Sequence, residues 1–178
     1  MNWTARLAVV AVVSVLGGAL PGASGAQYAG FSQALAALTG ECAKLIIGNG
    51  TDDAPGIANR LWNATVTIGA TPPGNGPVQF VVVGGILSWT GQSAYTDGTN
   101  IELNKNVFPD PTANLQTPTG VTSYLALVNS SLGTHLRAAE FGTFVFLHEL
   151  THMANGRAVD VADSNEYNKT LIDTCIKN

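Results

Sequence analysis

His148-Glu149-Leu150-Thr151-His152 sets two imidazoles four residues apart, with a carboxylate directly after the first, in a run of good helix formers from Val145 to Ala154. On a helix, positions i and i+4 lie one turn apart on the same face, so both rings can reach one cation. Neutral imidazole nitrogens suit zinc, and a carboxylate beside the first ligand can reach a water at the metal without ligating it. That is the layout of a hydrolytic site. Two plainer readings compete. The helix could be a core helix whose polar groups are merely hydrogen-bonded inside, at a considerable burial cost. A structural zinc would need four Cys and His ligands, and only His135 and two distant cysteines remain to supply them.

The element that must position these groups is itself unusual. Between Phe141 and Gly156 the only charged residue is Glu149, while Phe141, Phe144, Val145, Phe146, Leu147, Leu150 and Met153 cover nearly every side. A helix that is apolar all round is a buried one. It is expected to run from about Arg137 to Asn155 and to stop at Asn155-Gly156, because glycine readily takes the left-handed conformation that ends helices. A turn there would bring the following segment back toward the metal.

With Val145 three places before His148, uncharged neighbours, and Ala154 two places after His152, the segment resembles the active-site helix of the zincin metallopeptidases. The resemblance covers about ten residues. It implies a zinc endopeptidase acting on extended peptide, with Glu149 as general base and a third protein ligand completing the metal shell. The downstream acids are Asp160, Asp163 and Glu166, and no histidine follows His152, which excludes the metzincin pattern. The layout is closest to the deuterolysin-like aspzincins, although their Gly-Thr-x-x-Asp-x-x-Tyr-Gly pattern is not present. Asp160 leads, lying shortly after the Gly156 turn between Val159 and Val161; Asp163 follows closely and Glu166 stays open. Asp163 or Ser164 also suits the N-cap of a last helix presenting Tyr167, Leu171 and Cys175. Tyr167 could assist a developing oxyanion, as in aspzincins, or simply pack. A different class of function also fits: a non-catalytic secreted domain using the zincin scaffold to bind a protein or carbohydrate.

The remainder of the chain sets the surroundings. Residues 1–26 read as a secretory signal peptide, with Arg6, an apolar run from Leu7 to Leu20, and Ser24-Gly25-Ala26 as a small-x-small cleavage site. Residues 27–178 then form a single exported domain, expected to be a monomer with no membrane contact. The formal net charge is −4, one unit more negative once Arg6 leaves, so nucleic acid and acidic membranes are excluded as partners. An even count of two cysteines in an exported chain favours a Cys42–Cys175 disulfide. Asn-x-Ser/Thr patterns occur at Asn2, Asn49, Asn63, Asn129 and Asn168, as expected of a Thr- and Asn-rich surface.

Periodicity predicts helix over Gln27–Ile47 with a break at Gly40, a loop from Gly48 to Gly56, a short helix over Ile57–Ala64, and a helix over Thr122–Leu132 ended by Gly133. Extended pieces are predicted at Thr65–Ile68, Val78–Val83, Ile86–Thr90 and Asn100–Asn104. The last alternates as a half-buried strand near a sheet edge, and the zincin resemblance makes it the candidate for pairing with substrate. His135, without a partner at ligand spacing, reads as solvated. The architecture expected is α+β: a small mixed sheet packed on the buried metal-bearing helix, flanked by N-terminal helices and a C-terminal helix tied by the disulfide.

Overall fold

A computed structural model describes residues 24–69, 79–83, 86–90, 94–104, 119–154 and 164–177. Residues 1–23, the Asn155-Gly156 stop, Asp160 and Asp163 lie outside this set. The helices are α1 (Phe31–Ala37), α2 (Gly40–Ile47), α3 (Ala54–Asn63), α4 (Thr119–Leu132), α5 (Ala138–Met153) and α6 (Asn165–Cys175). The strands are β1 (Thr65–Gly69), β2 (Gln79–Val83), β3 (Ile86–Thr90), β4 (Ala94–Thr96) and β5 (Asn100–Asn104). The architecture is α+β.

The stretch Gln27–Ile47, expected to be a helix broken at Gly40, holds two separate helices, Phe31–Ala37 and Gly40–Ile47, after a 3-10 turn at Ser24–Gln27. The break falls at Leu38-Thr39, where Thr39 is extended and Gly40 opens α2 with a φ of 50°. Helix α3 starts at Ala54 rather than Ile57. Asp53 caps it, its carboxylate accepting from the amide of Gly56 at 2.7 Å, and Pro55 supplies a first-turn φ already suited to a helix. At the other end of the chain Ser164 is the N-cap of α6, accepting from the Tyr167 amide at 3.1 Å.

The strands form two sheets. In one, β5 pairs in parallel with β1 and antiparallel with β4, in the order β1-β5-β4. The other is the antiparallel hairpin β2-β3. Asn100–Asn104 is therefore a central strand, correcting the expectation of an edge. Its apolar positions Ile101 and Leu103 are fully buried, and Asn104 is buried with them. The edges of this sheet are β1 and β4, the latter a three-residue strand that periodicity is too short to reveal.

Helix α5 is the hub. It touches α1, α2, α3, α4 and α6 as well as β4, which accounts for apolar residues on every side. Phe141, Phe146, Leu147 and Leu150 are each at most 1 % exposed; burying a side chain of this size contributes about 1.5–3 kcal/mol. Phe31 of α1 meets Phe146 edge-on, with ring centroids 5.2 Å apart. A close backbone approach is made at Gly30, in the turn before α1. Its φ is 91°, and a Cβ there would lie 2.3 Å from the backbone of Gly142 and Thr143 in α5, so both the conformation and the space demand glycine.

Candidate metal centre

Helix α5 is held at its start by two sets of hydrogen bonds. At its start, the side chain of Asn129 in α4 ties down the connecting segment: its oxygen accepts from the Leu136 amide at 2.7 Å and the Thr134 hydroxyl at 2.9 Å, and its amide donates to the Leu136 carbonyl at 3.0 Å. One of the five Asn-x-Ser/Thr patterns is thus a structural clamp. Arg137 then caps the helix from an extended conformation, its backbone N–H donating to the Glu140 carboxylate at 2.8 Å. The guanidinium grips the other carboxylate oxygen, which holds the Glu140 pKa below its ordinary value. The end of α5 is Met153, two residues short of the expected stop, with Ala154 already extended.

On this helix His148 and His152 converge. Their Nε2 atoms are 3.1 Å apart, and the rings are nearly perpendicular, with centroids 4.8 Å apart. Two nitrogens each about 2.0–2.1 Å from one zinc and 3.1 Å from each other subtend an angle of about 100°, close to tetrahedral. At this distance either the Nε2–H of His152 donates to the lone pair on His148 Nε2, or both nitrogens turn their lone pairs to one metal ion. The pair therefore fits a zinc ion by its own geometry. Phe144, one turn earlier, lies against His148 with centroids 5.8 Å apart. Both histidines are half-buried, and Glu149 beside them is 3 % exposed.

The other ring nitrogen of His148, Nδ1, lies 2.9 Å from the side-chain oxygen of Asn168 in α6. An amide oxygen only accepts, so Nδ1 carries the proton and Nε2 presents its lone pair toward His152. Next to Asn168, the Tyr167 hydroxyl is 3.1 Å from that of Thr151, which itself donates to the Leu147 carbonyl at 3.0 Å. Tyr167 accordingly donates to Thr151. It is buried, and its role here is to dock α6 on α5.

The remaining expected site residues fall as follows. Glu166 is exposed in the first turn of α6, about 200° around the helix from the inward-facing Asn168. His135 is exposed in the segment before α5. Asp160 and Asp163 lie outside the described residues, and among those residues no group of three His, Cys, Asp or Glu side chains gathers around a common point. Cys42 and Cys175 form the expected disulfide, with Cα atoms 5.0 Å apart, joining α2 to α6. Among the described residues no helix is long and apolar enough to cross a membrane.

Asn168 is the residue that sequence reading passed over. It lies on one stripe with Leu171, Ile172 and Cys175, at i, i+3, i+4 and i+7. A polar side chain on an otherwise inward stripe signals a buried partner. Comparison of the chain with protein-family models, with curated protein sequences and with solved structures returns no match.

Proposed function

We propose that this chain is an exported zinc-dependent endopeptidase of the zincin kind, working as a monomer on extended peptide. The observation that carries the reading is the His148–His152 pair: Nε2 atoms 3.1 Å apart on one face of a buried helix, with Glu149 adjoining. His148 and His152 would hold the ion, with Asp160 as the leading third ligand and Asp163 next. When bound, zinc supplies Lewis acidity, polarising a carbonyl and making water nucleophilic near neutral pH.

The chain's own groups do the rest. Glu149 takes the proton of the attacking water and delivers it to the nitrogen of the leaving amine, so the carboxylate is restored at the end of a turnover. Its low exposure keeps bulk water from competing for that proton. Strand β4, at the edge of its sheet and packed against α5, offers backbone to an extended peptide by strand addition. This role passes from β5 to β4 because β5 is central. The net charge of −4 argues against nucleic acid and acidic membranes as partners.

Metal content and chelator-sensitive cleavage of an unfolded protein test the reading together. One zinc per chain is expected, lost in H148A/H152A, with hydrolysis abolished by chelator and restored by zinc. Zinc binding with no hydrolysis of any peptide would instead support a non-catalytic binding domain on the same scaffold. A chain that binds no zinc refutes the metal assignment.

A further inference from the structure

We infer that Asn168 is a positioning residue for His148: by accepting the Nδ1 proton it sets the tautomer and ring rotation that aim Nε2 at His152. The metal consequence of this rests on the zinc reading above; the tautomer does not. Three observations support it. The Asn168 oxygen is 2.9 Å from Nδ1, while Nε2 on the far side of the same ring is 3.1 Å from its counterpart on His152. Asn168 is half-buried on the face of α6 turned toward α5, although it heads an Asn-Lys-Thr pattern that by sequence alone suggests an exposed surface. And α6 is held where this contact needs it, through Tyr167 on Thr151 one residue away and through the Cys175–Cys42 bridge two turns along.

An imidazole rotates about two side-chain bonds and exchanges tautomers freely unless its second nitrogen is engaged. A fixed acceptor at Nδ1 removes both freedoms before any ion arrives, and it raises the electron density that Nε2 can donate. Losing such an acceptor typically weakens metal binding 10- to 100-fold.

The test combines imidazole nitrogen-15 NMR of the full metal-free chain with zinc affinity measured by competition against a chromophoric chelator. The wild type should show His148 as the Nδ1–H tautomer. N168A should release it toward the commoner Nε2–H form and bind zinc about 10- to 100-fold more weakly. N168D, which keeps an acceptor oxygen at the same reach, should retain both the tautomer and the affinity. Y167F loosens the neighbouring contact between α6 and α5 but keeps the acceptor on Asn168, and should weaken zinc less than N168A does. The inference is overturned if wild-type His148 carries its proton on Nε2, a result that needs no variant to fold. It is also overturned if N168A binds zinc as tightly as wild type, or if Y167F weakens zinc as much as N168A, since Asn168 would then act only through helix docking. A wild-type chain with the Nδ1–H tautomer but no zinc affinity would sink the peptidase reading and leave the positioning of His148 standing.

Discussion

The helix that supplies Asn168 and Tyr167 to the histidine-bearing helix is tethered at its far end by one covalent bond, so removing that bond is the sharpest test of how the fold is held. In C42A/C175A the two positions, 133 residues apart, are no longer joined in the unfolded chain. In the chain-entropy account, closing a loop of this length lowers the unfolded-state entropy by about 17 cal/mol/K, or about 5 kcal/mol at 25 °C. Domains of this size are stable by only about 5–15 kcal/mol, so the variant should lose a large share of its stability. The midpoint of thermal unfolding should fall by about 10–20 °C. Urea and thermal unfolding of wild type and variant, followed by circular dichroism, measure the two quantities in turn, and the variant's steeper urea dependence would report a more expanded unfolded chain. Reduced wild type should behave like the variant. A loss below about 1 kcal/mol, against the roughly 5 kcal/mol expected from loop closure, would refute the argument and mean that α2 and α6 are held together in the unfolded ensemble by something other than the bridge.

Further outcomes follow from single contacts. E149Q should keep zinc at the wild-type level and lose at least about 100-fold in kcat, the scale of a lost general base; undiminished hydrolysis would remove Glu149 from the chemistry. G30A places a side chain in a left-handed conformation and against the α5 backbone, which together should cost at least about 2 kcal/mol in urea unfolding. S164A removes the N-cap of α6 and should cost about 1 kcal/mol. Glu140 has its pKa lowered by the hydrogen bonds from Arg137. Its contribution to stability is therefore present in full above the unfolded carboxyl value of about 4.3 and is lost as pH falls through the lowered folded value. E140Q retains an acceptor for the Arg137 amide but should flatten this acid limb, and an unchanged slope between wild type and E140Q would show that other carboxylates produce it.

The parts of this molecule that could be read from its sequence are those set by residues close together in the chain. The spacing of His148 and His152 makes them neighbours on any helix, and the apolar residues around them require that helix to be buried, as α5 is. Ser164 caps α6 through a contact three residues long, and Asp53 with Pro55 starts α3 by equally local means, a signal present in the sequence although the expected helix began later. With two cysteines in the chain, a disulfide could pair only Cys42 with Cys175. The tertiary structure alone decided what depends on distant partners. Asn100–Asn104 alternates as an edge strand would, yet it lies between β1 and β4, because strand order is set by what each strand's backbone meets and not by its own pattern. Gly30 shows its reason to be glycine only in the fold, where its φ is left-handed and Gly142 packs against it. Asn168 reads as one more surface asparagine until α6 packs on α5 and brings its oxygen to His148. Short-range geometry determines which side chains can act together; only the packing of α6 on α5 determines which nitrogen of His148 is left to do so.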